Sequence, residues 1–383
     1  MIARLWTVSL LVALGLQGPR ADGVKAWIEE RAAAQQFSGV VLVAAGDRPV
    51  LDVAVGFADR KVSQPNTTAT RFNLGSINKT FTAIAVAQLA QQGKLSFSDA
   101  IGKHLPDYPN RDAASTITIH HLLTHTSGLA PYTTGFGAGR PAASSAKDLV
   151  ASFAAEPLRF PAGSRQEYSN AGYVLLGRIV EVVSGLDYSR YVTTRIYEPA
   201  GMRDAGFEPV PTNGPRIARG YVALGPDGRP MMIGPGGGRQ RGGPPPPESR
   251  PSSDARPSTL GENGDMLEPG NPAGGGYSTA ADLVAFARAL RTGKLLDATM
   301  TDLLLNGTFS GAEQPKYGYA LREEMVNGRR FVGNGGGAPG LNAELRFEPA
   351  GGLTVVVLSN YSPPSATRTL ERVLSDVTSA VQP

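Results

Sequence analysis

The sequence predicts an α+β fold: an antiparallel sheet built from both ends of the chain and flanked by helices, with a mostly helical subdomain inserted. Three observations carry this. Two strand-like runs, Ser38 to Ala45 and Val50 to Phe57, lie near the start. Four more follow Tyr317. Between them, from Ser76 to about Leu305, helical periodicity and loops dominate.

In order, Val24 to Gln36 reads as an amphipathic helix, and Gly46-Asp47-Arg48 joins the first two strands as a hairpin signal. Arg71 to Gly75 is a short extended segment ending in glycine. Thr80 to Ala90 then carries apolar residues at helical spacing, and Gly93 closes that helix. Ala171 to Glu181 makes a second, strongly apolar helix. The late strands are Tyr317 to Arg322, Arg329 to Gly333, Leu341 to Phe347 and Leu353 to Ser359. Pro349-Ala350-Gly351-Gly352 turns the last pair, and Thr367 to Val381 forms a closing helix. The helical region packs against one side of this sheet, which places a site in the crevice between them.

With 383 residues, 41% of them hydrophobic, the chain can bury a large core as one domain or two interleaved ones. The absence of cysteine excludes disulfides, thiol catalysis and cysteine-rich metal sites. A net charge of +4 with only 18% charged residues leaves no footprint for nucleic acid. Residues 1–21 resemble a secretory signal: Arg4 precedes an apolar core from Leu5 to Leu16, although no Ala-x-Ala site follows. A periplasmic or secreted protein is expected, with 22–383 as the mature domain. An uncleaved anchor is the other reading, but twelve apolar residues fall short of a span. No later segment is apolar and long enough to cross a membrane. Residues 225–270, with Gly236-Gly237-Gly238 and Pro244 to Pro247, read as a flexible insertion too polar to fold alone.

The chemistry is concentrated at Ser76-Ile77-Asn78-Lys79, where the extended segment turns into the first long helix. Residues three apart share a helix face, so the hydroxyl and the amine can meet. The positive end of the helix dipole favours an oxyanion beside such a serine. That suits a nucleophile activated by a lysine. Taken alone, a helix N-cap followed by a solvated lysine is the plainer reading of Ser76. A second copy of the pattern, Ser144 to Lys147, follows a Gly/Ala/Pro stretch and reads as an accident at the start of a surface helix.

Its company changes the reading of Ser76. Tyr168-Ser169-Asn170 sets a phenol and a carboxamide at the entry of the second apolar helix. Tyr108-Pro109-Asn110 has the same form, but its proline makes it a turn. Further on, Asn334-Gly335-Gly336-Gly337 lies in a glycine-dense stretch where the backbone can pass close to a ligand.

Ser-x-x-Lys, Tyr-x-Asn and a glycine-rich strand motif, in this order, resemble the serine hydrolases of the class C β-lactamase and penicillin-binding-protein family. The likeness extends to His121 to Leu129, Asn271 to Leu283 and Asn342 to Phe347, nearly the whole mature chain. It implies Ser76 as nucleophile, Lys79 and Tyr168 as the acid–base pair, and Asn170 orienting Lys79 and substrate. It also implies an oxyanion hole from the backbone N–H groups of Ser76 and Gly337, with Asn334, Gly335 and Gly336 lining the substrate. No cofactor or metal is implied, and His120, His121 and His125 are expected to make structural hydrogen bonds.

One departure matters. The family usually carries lysine or histidine where this chain has Asn334, and a carboxamide holds no charge. The expected activity is therefore cleavage of small-molecule esters or D-peptides through an acyl-enzyme. A β-lactamase or DD-carboxypeptidase is the first alternative. The second is a wall-binding protein that acylates and stalls.

Overall fold

The computed structural model describes residues 19–46, 48–130, 145–207, 216–224, 260–263, 269–308 and 316–379. The fold is the expected α+β arrangement. Five helices frame it: α1 (Pro19–Ala33), α2 (Asn78–Gln91), α3 (Asn170–Ser184), α4 (Ala280–Arg291) and α5 (Ser365–Ser379). The main sheet has seven strands: β1 (Gly39–Ala45), β2 (Arg48–Val55), β3 (Lys316–Tyr317), β4 (Arg322–Val326), β5 (Arg329–Ala338), β6 (Leu341–Phe347) and β7 (Leu353–Ser359). Their spatial order is β2-β1-β7-β6-β5-β4-β3, and every neighbouring pair is antiparallel. The two chain ends meet at β1 and β7, where Gly39 lies opposite Ser359 and Ala45 opposite Leu353.

Both faces of the central strands are buried, which explains why β1 and β7 read as nearly continuous apolar runs rather than alternating ones. Period-2 geometry divides their side chains between two cores. Val40, Leu42, Val356 and Leu358 join Ile84, Leu175 and Phe286 under the helical region. Val41, Val43, Val355 and Val357 join Ile28, Leu370 and Val373 beneath α1 and α5.

Several boundaries differ from expectation, each for a local reason. Helix α1 begins before Val24 and ends at Ala33, because Gln35 turns into a left-handed conformation (φ 57°). Tyr317 to Arg322 is not one strand. The Gly318 N–H donates to the Leu321 carbonyl at 2.8 Å and Ala320 has φ 56°, so a tight turn separates β3 from β4. Strand β5 does not stop at Gly333 but continues through the glycines to Ala338, sustained by its ladder with β6. Poor intrinsic strand propensity hid that half.

Of the expected insertion, residues 225–259 and 264–268 lie outside the described ones. Its Leu260–Asn263 stretch pairs with Gly220–Ala223 as a small antiparallel ribbon. Most of the expected leader, 1–18, also lies outside them, and no helix among the described residues is long and apolar enough to cross a membrane. The second Ser-x-x-Lys pattern is a surface helix start, with Ser145 capping Ala146–Ala151. Asn110 likewise caps a short helix, Arg111–Thr116.

Candidate active site

Ser76 sits in a single 3₁₀ turn, Gly75–Ile77, that leads into α2. It is not an N-cap: neither that turn nor α2 has a side-chain cap. The turn is fastened on three sides. Leu74 N–H donates to the Gly276 carbonyl at 2.9 Å, and Asn73 Oδ1 accepts from Gly75 N–H at 2.9 Å. On the third side β5 crosses so closely that a Cβ on Gly336 would lie 2.2 Å from the Leu74 oxygen and 2.7 Å from the Ser76 nitrogen. Glycine is required there by the backbone of the Ser76 turn. Its neighbours are filled in the same way. A Cβ on Gly335 would meet the Glu344 carboxylate at 2.5 Å, and one on Gly337 would meet Pro363 at 2.7 Å.

Lys79, one turn along α2, is fully buried, with 0% of its surface exposed. Its Nζ donates to Ser76 Oγ at 3.0 Å, to Asn170 Oδ1 at 2.7 Å and to the Ala273 carbonyl. Three acceptors match the three protons of an ammonium. Burial acts in the other direction and pulls the Lys79 pKa below the ordinary lysine value; the Tyr168 phenol opposes this and Arg322 reinforces it.

Tyr168 approaches from the opposite side. Its hydroxyl lies 2.6 Å from Ser76 Oγ, while 51% of the residue remains open to solvent. The Lys79 Nζ stands 4.8 Å above its ring. The Tyr168-Ser169-Asn170 segment is held by the middle residue: Ser169 caps α3 by accepting from Gly172 N–H, and its own N–H donates to His125 Nδ1 at 3.1 Å. That bond leaves the His125 proton on Nε2, which donates to the Tyr317 hydroxyl at 2.9 Å. The His125 ring packs 4.6 Å from that of Tyr168. Burial, followed by the charges of Lys79 and Arg322, holds the His125 pKa well below the usual histidine value, so it is a neutral spacer. His121 closes a capping box with Thr118, and His120 Nδ1 lies 2.7 Å from the Tyr319 hydroxyl.

The structure thus brings Ser76, Lys79, Tyr168 and Asn170 into direct contact. Asn334 is placed differently from expectation. It is buried, with 3% of its surface exposed, and its side chain is taken up by the Ser76 turn and its own strand. Its Nδ2 donates to the Ser76 carbonyl at 3.2 Å and to Thr80 Oγ1 at 3.3 Å, while its Oδ1 accepts from Gly335 N–H at 2.9 Å. Reading the sequence missed the Ala273 carbonyl, Thr80 and Arg322. Ala273 and Thr80 lay inside stretches already singled out, whereas nothing local distinguishes Arg322.

Comparison with known proteins agrees with this geometry. Residues 24–378 match the family model described as beta-lactamase. A putative penicillin-binding protein of Bacillus subtilis is 35% identical over 189 residues, covering 49% of this chain and 46% of that protein. The match therefore spans less than half of that relative. The crystal structure of a penicillin-binding protein from Bacillus halodurans superposes with a TM-score of 0.72 at 30% identity, over 91% of this chain and 98% of that one. The D-amino acid amidase of Ochrobactrum anthropi has the same fold, with a TM-score of 0.74 at 23% identity over 94% and 99% of the two chains. The chain belongs to the β-lactamase family of hydrolases.

Proposed function

We propose that this protein is a serine hydrolase that cleaves esters or amides through an acyl-enzyme on Ser76. The observation that carries the reading is the position of Ser76 Oγ, 3.0 Å from Lys79 Nζ and 2.6 Å from the Tyr168 hydroxyl. Free lysine and tyrosine both titrate near 10, so neither is a good base alone at neutral pH. One of the pair takes the proton of Ser76, and burial makes Lys79 easier to deprotonate for that role. Tyr168 then returns the proton to the leaving group. Its exposed edge lets water replace that group, and the same pair activates the water for deacylation. The backbone N–H groups of Ser76 and Gly337 serve as the oxyanion hole.

Relatives bearing the names of a penicillin-binding protein and a D-amino acid amidase support amides of D-configured substrates as the first class to test, beside simple esters. The penicillin-binding names also favour a second reading, in which β-lactams acylate Ser76 and are released slowly. Steady-state hydrolysis of a chromogenic short-chain ester and of D-amino acid amides, by wild type and Ser76→Ala, tests the first reading. Turnover that survives in Ser76→Ala overturns it, and acylation without turnover favours the second.

A further inference from the structure

We propose that Asn342 is a positioning residue for the oxyanion hole, holding the Gly336–Gly337 peptide by its carbonyl so that its N–H faces the reacting bond. The inference rests on the acyl-transfer reading, which gives the Gly337 N–H its role. The ladder between β4 and β5 ends where Arg322 lies opposite Gly333. From Asn334 to Ala338, β5 therefore has β6 as its only ladder partner among the described residues. The centre of this half, Gly335-Gly336-Gly337, has no side chains of its own to set the tilt of its peptide planes. Asn342, on β6, supplies a restraint: its Nδ2 donates to the Gly336 carbonyl at 3.1 Å. A trans peptide is planar, with C=O and N–H pointing in opposite directions, so restraining one aims the other.

The other end of the Asn342 carboxamide is itself locked. The residue is buried, and its Oδ1 accepts from the Ala366 N–H at 2.8 Å and the Thr367 N–H at 3.1 Å, in the first turn of α5. The Thr367 hydroxyl lies 3.2 Å from the same oxygen, but its single proton is better placed on the Glu344 carboxylate at 2.8 Å. Two backbone donors on one side and a carbonyl on the other leave one orientation for the amide. A carboxylate or hydroxyl would serve the α5 end as well, whereas the Gly336 end requires the amide nitrogen. The first N–H groups of a helix also carry its positive end. Hydrogen bonds in a chain polarise one another, so donors on Oδ1 strengthen Nδ2, and Nδ2 on the Gly336 carbonyl strengthens the Gly337 N–H. That gain is greatest when a negative oxygen forms beside it. Asn263 offers a contrast: it braces the same hairpin by donating to the Pro339 carbonyl at 2.8 Å, two residues beyond Gly337.

The test measures steady-state hydrolysis of a chromogenic short-chain ester and inhibition by phenylboronic acid. The boron accepts Ser76 Oγ as a fourth ligand, and the tetrahedral anion places a boron-bound oxygen in the oxyanion hole. Asn342→Leu has nearly the same shape without either hydrogen bond, and Asn263→Ala is the control; melting curves show that each is folded. Asn342→Leu should lower kcat roughly ten- to a hundredfold, less than the loss of an oxyanion donor outright, because the N–H remains but is misaimed. KM should stay within about threefold, since the interaction counts in the transition state. The boronic acid should bind more weakly by about the factor lost from kcat. Asn263→Ala should leave kcat and boronate affinity within about twofold of wild type, because the oxyanion peptide keeps its restraint. If the leucine variant does not fold, Asn342→Ala, which leaves room for water at the α5 N–H groups, is read in its place. Unchanged kcat and boronate affinity in a folded Asn342 variant, a rise in KM alone, or an equal loss in Asn263→Ala overturns the proposal. Wild-type protein that hydrolyses neither esters nor D-amino acid amides and takes no boronate refutes the acyl-transfer reading and this proposal with it. Wild type that does both, with Asn342 variants equal to it, refutes the proposal alone.

Discussion

The Asn334 side chain donates to the backbone carbonyl of Ser76 at 3.2 Å, fastening the glycine strand to the turn that carries Ser76. Its remaining capacity is taken by Thr80 and Gly335. A residue expected to face substrate is instead a brace beneath the site.

Asn334→Ala should therefore loosen the turn. Removing a buried carboxamide deletes its bonds to the Ser76 carbonyl, Thr80 Oγ1 and the Gly335 N–H, a loss of about 1–3 kcal/mol in stability. We expect kcat to fall roughly tenfold with little change in KM, because substrate contacts are untouched. Asn334→Lys would bury an ammonium close to Lys79 and should destabilise the protein without improving acylation by β-lactams. A tenfold gain in that acylation would show that position 334 does reach the substrate.

Gly336→Ala should disable the site more severely than its size suggests. The new methyl group would stand 2.2 Å from the Leu74 oxygen, a backbone atom that can yield only if the Ser76 turn moves. Gly23→Ala offers the contrast: nothing lies within 4 Å of that Cβ, and in the interior of α1 it should add about 0.5–1 kcal/mol. Comparable activity and melting temperature in Gly336→Ala and wild type would contradict the packing described for β5.

The parts of the fold legible in the sequence are those written in side-chain pattern. Leu341–Phe347 and Leu353–Ser359 fall where the apolar runs place them, and the Ser76, Lys79, Tyr168 and Asn170 contacts follow from motif order and helix geometry. What stayed hidden depends on tertiary placement. The glycine half of β5 is a strand because β6 pairs with it, not because glycine favours one. Asn334 is bonded to Ser76 and Thr80, and Arg322 lies opposite Gly333 only because β4 pairs with β5. No local signal encodes either fact.

The proposed acid–base pair makes a pH prediction. In the proposed mechanism, attack by Ser76 requires a deprotonated base beside it, so kcat/KM should rise with pH along an acid limb. Burial lowers the Lys79 pKa, which places the midpoint of that limb below the ordinary lysine value of about 10.4. Tyr168→Phe should cost roughly a hundred- to ten-thousandfold, and adding Lys79→Ala should cost far less than its separate effect. A midpoint at or above 10.5, or fully additive losses, would show two independent residues.

Stability should also depend on pH through His125. Its folded pKa is depressed, so the unfolded chain binds a proton near pH 6.5 that the folded chain refuses. Stability is then lost as pH falls below about 6.5, by up to about 1.4 kcal/mol per unit for this residue. His120 and His121, lowered chiefly by burial, act in the same direction. Denaturant titrations between pH 7.5 and pH 5 should show this slope, and His125→Gln should flatten it. An unchanged slope in that variant would mean that His125 is protonated in the folded protein.

The most direct measurement is intact-mass analysis during reaction with a panel of activated esters, D-amino acid amides and β-lactams, followed by peptide mapping. The account predicts a mass gain equal to the acyl group, located on the peptide containing Ser76 and absent in Ser76→Ala, whose turnover should fall roughly a thousandfold or more. Hydrolysis that proceeds with no adduct at Ser76, or an adduct that persists in Ser76→Ala, would contradict it.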